Sequence, residues 1–131
     1  MKAVVDRLTA DLQLHNVKRV ADVGANTGVW GRRFKAVHAP TCHLTGFELR
    51  ETTPLPGYNH WIQGDYLEAE APHQFDLTWS NPPFTLSEQF IRKMLRETRD
   101  GGTVAVLQRA NFIGSGGDTL PAAISHQAVQ A

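Results

Sequence analysis

Cysteine is nearly absent: Cys42 is the only one among 131 residues. A single thiol permits no internal disulfide and no cysteine-based metal cluster, which suits a reducing compartment. Net charge is absent too, with 13 Lys and Arg against 13 Asp and Glu. Global charge therefore argues for no polyanionic partner, although a local basic patch stays open. Long apolar runs are missing, and the first residues carry Asp6 and Asp11 where a signal peptide would be apolar. The expectation is a cytoplasmic chain with no membrane partner. No internal repeat is visible. What is present, 41% hydrophobic and 20% charged residues, is the composition of one globular domain with a real core.

The punctuation predicts strands alternating with helices or tight loops, and hence a parallel α/β sheet. Val4, Val5, Leu8 and Leu12 are spaced as an opening helix, with Asn16 as its stop. A strand over Arg19–Val23 follows, then a crossover helix with Trp30, Phe34 and Val37 on one face, ended by Pro40. Further strands are expected over His43–Leu49, Trp61–Gly64, Phe75–Ser80 and Thr103–Leu107. Before the last of these, Thr85 and Glu88 read as a capping box. Leu86, Phe90, Ile91, Met94 and Leu95 make an apolar stripe, and Gly101 and Gly102 read as a left-handed stop. Pro54 and Pro56 predict an irregular loop between the second and third strands, where a regular doubly wound fold would place a helix.

Chemistry concentrates at the predicted strand ends. The first strand runs into "ADVGANTGVWG", where Gly24 and Gly28 permit a tight turn and the next helix aims free N–H groups above the sheet. Glycines in such a turn also serve helix packing alone, so the neighbouring tips decide the matter. In an open parallel sheet ligands bind outside the carboxyl ends of the strands. There the second strand offers Glu48, the third Asp65 and the fourth Asn81. Glu48 can accept from a ribose diol through charge-assisted bonds of roughly 1.5–3 kcal/mol each, and Asp65 from an adenine amino group. The fourth tip reads "SNPPF", and Pro82 and Pro83 make it stiff and extended.

From Arg19 to about Phe112, with "DVGANTG", Glu48, Asp65 and "NPPF" in order, the chain resembles the class I S-adenosylmethionine-dependent methyltransferases. It resembles in particular the amino-group enzymes with an Asn/Asp-Pro-Pro-aromatic motif. The stretch from "NPPFTLSEQF" to "ANF" is similar to small phage-type DNA adenine methyltransferases. The resemblance implies a Rossmann-like doubly wound, mostly parallel sheet of about five strands in the order 3-2-1-4-5. It implies S-adenosylmethionine as cofactor: Asp22, Gly24, Asn26 and Gly28 around the methionine part, Glu48 at the ribose, and Asp65 with Tyr66 beside the adenine. Asn26 stands where the family has its middle glycine, a substitution that Asn tolerates because it visits left-handed conformations. Catalysis would fall to Asn81, Pro82 and Phe84. The Asn81 amide and Pro82 carbonyl would accept both N–H bonds of an amine whose lone pair is otherwise delocalised, and Phe84 would stack on the planar target.

The reaction implied is methyl transfer to an exocyclic amino group, with adenine N6 in DNA as first choice. RNA base-amino groups and protein glutamine are alternatives, as is a shortened cofactor-binding domain without turnover. A nicotinamide-dependent short-chain dehydrogenase fits poorly: Trp30 replaces a required glycine, and Tyr58 and Tyr66 are followed four residues on by Ile62 and Glu70, not Lys. The two further strands usual in the family look missing or shortened. "GSGG" reads as a linker and Leu120–Val129 as a weak helix, so residues 1–113 are expected to form the cofactor-binding domain and 114–131 a flexible segment. Partners would be nucleic acid, single-stranded or with a flipped base, and a second copy or another subunit supplying target recognition. Arg32, Arg33, Lys35, Arg92, Lys93 and Arg109 are the available phosphate contacts. His15, His38, His43, His60, His73 and His126 show no metal-ligand spacing, so no metal site is expected.

Overall fold

Val20, Ala21 and Val23 are buried on both faces of the first strand, the pattern of a sheet covered on each side. The computed structural model describes residues 6–7, 9–10, 17–108 and 123–128. Strands β1 (Arg19–Val23), β2 (His43–Glu48), β3 (His60–Gln63), β4 (Phe75–Ser80), β5 (Thr98–Gln108) and β6 (Ala123–Ala128) form one sheet. Its order is β3-β2-β1-β4-β5-β6. The first five strands are parallel and β6 is antiparallel to β5. This is the Rossmann-like arrangement of the methyltransferases, with the order expected for five strands.

Each face of the sheet has its own helical cover. On one side helix α1 (Val29–Arg33) continues as a π-helical turn over Phe34–His38. Trp30 stacks on Trp79 of β4 with ring centroids 4.6 Å apart and on Phe34 at 5.1 Å. On the other side α2 (Ser87–Glu97) lays Phe90 and Met94 against Phe47, Tyr66, Phe75 and Val104. Residues 6, 7, 9 and 10 are helical, in line with the opening helix. Asp6 pairs with Arg33 at 2.9 Å and with His38 at 2.7 Å, contacts that hold its carboxyl down at about 2. Val4, Val5, Leu8, Leu12 and Asn16 lie outside the described residues.

Several local expectations are corrected. Val37 is half exposed and does not share the buried face of Trp30 and Phe34. The capping box does not form, because the Pro83 carbonyl accepts from Leu86 N at 3.0 Å and closes a 3-10 turn over Phe84–Leu86. The helix therefore starts at Ser87, past Thr85, and Glu88 pairs instead with Arg92 one turn on. Gly101 and Gly102 do not stop the helix either. Thr98 ends it in extended conformation, its hydroxyl donating to the Met94 carbonyl at 2.6 Å. Gly101, at φ 80°, sits in a bulge of β5 where the register to β4 shifts between Phe75 and Leu77. The weak helix expected over Leu120–Val129 is replaced by β6, while "GSGG" and Arg109 lie outside the described residues. The Pro54–Pro56 loop is irregular, as its prolines require.

Candidate functional site

The carboxyl ends of β1, β2 and β4 and the loop after β3 enclose a cavity of about 630 Å³. Such a volume suits a nucleoside-sized ligand. Phe47, Tyr66, Leu86 and Phe90 give it apolar walls, and Asn26, Glu48, Asp65 and Asn81 give it polar groups. Gly24 and Gly64 border it with bare backbone: a methyl group at either would meet no heavy atom within 4 Å.

The glycine turn is wound left-handed three times, at Gly24 (φ 69°), Asn26 (φ 59°) and Gly28 (φ 96°). Asn26 thus takes the conformation that its replacement of a glycine demands. Two long-range bonds fix the turn beside its neighbours: Ala25 N donates to the Phe47 carbonyl at 2.8 Å, and the Ser80 hydroxyl donates to the Val23 carbonyl at 2.9 Å. The second bond holds the tip of β4 against that of β1, which sets Asn81 next to Gly24.

Glu48 is buried yet ionised. Its Oε1 accepts from Asn26 N at 2.8 Å, and its Oε2 from Arg50 N at 2.9 Å and Arg50 Nε at 3.1 Å. Burial pushes its pKa up, but the donors from Arg50 and Asn26 outweigh burial and lower it overall. A carboxylate offers about four lone-pair positions, so room remains for one hydroxyl; a second would displace the Arg50 guanidinium. Arg50, absent from the sequence expectations, also donates to Asn26 Oδ1 at 2.5 Å and bridges the turn to the β2 tip. Its signal was its place two residues after Glu48.

Asp22 does not face the main cavity. It is buried at the edge of an adjoining cavity of about 230 Å³, which Asn81 also lines. Its Oδ2 accepts from the Tyr58 hydroxyl, and burial raises its pKa to about 7 against the lowering effects of Tyr58 and Gly31. Tyr58, likewise unforeseen, leans over the turn so closely that a Cβ on Gly28 would lie 2.5 Å from its ring. Gly28 therefore serves this packing and not the cavity.

Asp65 is exposed and caps its own loop, accepting from Leu67 N at 3.0 Å. Tyr66 contributes its ring to the wall while its hydroxyl points to Glu97, 2.6 Å away. Asn81 stands exposed at the rim shared by both cavities, and its side chain makes no hydrogen bond to any described residue. Pro82 is buried behind it. Phe84 is 80% exposed on the turn beyond and lines neither cavity, so it is a free aromatic face and no staple for α2. Most of the expected basic contacts are committed within the chain: Arg33 to Asp6, Lys35 to Asn59, Arg92 to Glu88 and Lys93 to Glu97. No helix among the described residues is long and apolar enough to cross a membrane.

No protein-family model matches the sequence, and no curated protein matches it. Solved structures do. The [4+2]-cyclase SpnF superposes with a TM-score of 0.71 at 20% identity, over 88% of this chain and 48% of that one. CalS10, an amino pentose methyltransferase from Micromonospora echinaspora with S-adenosylmethionine bound, gives 0.59 at 22% identity over 79% and 47%. A protein of Pyrococcus horikoshii provisionally assigned as an RNA methyltransferase gives 0.68 at 21% identity over 84% and 57%. The likeness shows the fold, that of the class I S-adenosylmethionine-dependent methyltransferases. This chain spans about half the length of these structures. A cyclase among them illustrates that the fold alone does not set the reaction.

Proposed function

We propose that the cavity binds S-adenosylmethionine and that the chain methylates an exocyclic amino group, adenine N6 in DNA being the favoured target. One observation carries this reading: Asn81, with its amide unpartnered, stands on a rigid proline-backed tip at the rim of a nucleoside-sized cavity. The residues present fit the cofactor. Gly24, Asn26 and Gly64 offer backbone at the cavity wall, Glu48 offers a hydroxyl acceptor, and Phe47, Tyr66 and Phe90 offer apolar cover for a purine. Asp22 acts at one remove, through the turn that it buttresses.

When bound, the cofactor supplies an electrophilic methyl group on a sulfonium. The chain's own part is positioning. The Asn81 side-chain oxygen and the Pro82 carbonyl accept the two amine hydrogens, which returns lone-pair density to nitrogen and aims it into the cavity. Such orientation can supply ~7–11 kcal/mol of a barrier. Phe84, free on the neighbouring turn, stacks on the incoming ring, a contact worth roughly 1–3 kcal/mol for a base. No strong base is required, because the extra proton leaves to water after transfer.

RNA base-amino groups and protein glutamine present the same planar NH₂. A second reading, a cofactor-binding domain that depends on another subunit or a second copy for its target, draws support from the internal pairing of Arg33, Arg92 and Lys93, which takes these three cations from phosphate. Incubation with methyl-labelled cofactor and a panel of DNA, RNA and protein, followed by digestion, separates these cases. Label in N6-methyladenine supports the favoured target. Label in another unit redirects it, and cofactor binding without label in any of them selects the binding domain.

A further inference from the structure

At the opposite end of the sheet the fold gathers three histidines that are far apart in sequence. His43 opens β2, His60 opens β3, and His73 lies two residues before β4. One ring nitrogen from each lies within 4.8 Å of those of the other two. The His43 ring meets His60 edge-on at 4.8 Å between centroids and His73 at 5.2 Å. The cluster is separated from Glu48 by the length of β2, about 16 Å.

Two features distinguish this cluster from aromatic packing. His43 Nδ1 and His73 Nε2 are buried with no hydrogen-bond partner, a costly state for a polar atom. His73 Nδ1 lies 3.1 Å from the Gln74 carbonyl, which can only accept. The proton of the neutral ring therefore sits on Nδ1, and Nε2 presents its lone pair. A backbone carbonyl holding the distal N–H is the arrangement that orients metal-ligating histidines.

We propose that His43, His60 and His73 form a site for a divalent ion of the imidazole-preferring kind, Zn²⁺ foremost, with its remaining position open to solvent beside the exposed His60. Three imidazole nitrogens without a carboxylate in the group do not suit Ca²⁺ or Mg²⁺, which take oxygen ligands. In tetrahedral zinc the ligand nitrogens stand ~3.3 Å apart, so side-chain rotation must draw the widest pair together. The ion would pin the amino ends of β2 and β3 to the segment that enters β4, with no part in the cavity at the other end.

Zn²⁺ binding to the purified chain, measured by competition with a chromophoric chelator and by the visible absorption of Co²⁺ in its place, tests this. The expected result is one equivalent bound, a tetrahedral Co²⁺ spectrum and a thermal midpoint raised by Zn²⁺. In His60→Ala and in His73→Gln the affinity should fall at least about tenfold, as it does even for lost outer-shell partners, and the thermal shift should vanish. His60 is exposed, so its replacement leaves the fold in place, which circular dichroism verifies. Affinity unchanged in both variants, or no uptake with Zn²⁺ in large excess over protein, overturns the assignment.

Discussion

The Tyr58 hydroxyl lies 2.5 Å from Asp22 Oδ2, a bond that ties the irregular loop before β3 to the first strand tip across 36 residues. Burial raises the Asp22 pKa from 3.8 to about 7, while the hydroxyl of Tyr58 is pushed up by the same burial and by Asp22 itself. The folded state thus holds a proton that the unfolded chain releases earlier. The resulting stabilisation is complete below about pH 4 and is lost as pH rises through about 7. Asn, which resembles the protonated acid, carries no such dependence. Denaturant midpoints of Asp22→Asn against the parent should therefore diverge in the variant's favour between pH 4 and 8; parallel curves would place Asp22 in its ionised form throughout.

Gly31 packs beneath the same bond. A Cβ there would collide with the Tyr58 hydroxyl and lie 2.8 Å from Asp22 Oδ2. Gly31→Ala should cost about 1–3 kcal/mol, the usual range for overpacking, although Ala is the better helix former. In the background of Tyr58→Phe, which removes the hydroxyl, the cost should shrink. Urea unfolding of the four proteins of this cycle measures the coupling, and strict additivity would contradict the packing described.

Glu48→Ala should weaken S-adenosylhomocysteine binding roughly ten- to hundredfold, the loss of one charge-assisted bond. Because Glu48 also accepts from Asn26 N and from Arg50, the variant should lose stability too, by about 1–3 kcal/mol. Calorimetry on the folded fraction separates the two effects. Unchanged affinity would remove Glu48 from the cofactor site.

The β1 and β4 boundaries were legible because their apolar runs end in punctuation, glycine in one case and proline in the other. Glu48 and Asn81 were legible because strand ends are where an open sheet collects ligands, and they do meet at one cavity. Thr85 and Glu88 misled because the capping pattern is local, whereas the turn closed by Pro83 pre-empts it. Tyr58 and the His43 cluster were illegible for a different reason. Their meaning depends on register between strands, which brings Thr45 opposite His60 and so sets His43 near His60, and no spacing within the sequence encodes that. For Asp22 the family resemblance implies a place around the cofactor, whereas its carboxylate turns to Tyr58 at the adjoining cavity, a direction that residue type and strand-end position leave open.

Among the described residues Arg33, Arg92 and Lys93 are paired within the chain, and extracting a base from a duplex costs a few kcal/mol. Methyl transfer to single strands, loops or mismatches should exceed transfer to a perfect duplex, because an unpaired base needs no extraction from a stack. Rates on matched single- and double-stranded oligonucleotides check this, and a clear preference for duplex would contradict it.

The role of Asn81 is tested most directly by single-turnover transfer from methyl-labelled cofactor to an adenine-containing single strand, run beside calorimetric binding of S-adenosylhomocysteine, for the parent chain and Asn81→Ala. The account predicts transfer by the parent, a loss of at least about a hundredfold in the variant, the scale of one lost transition-state contact, and equal affinity for S-adenosylhomocysteine in both. Undiminished transfer by Asn81→Ala would contradict it and reduce "NPPF" to a stiff turn.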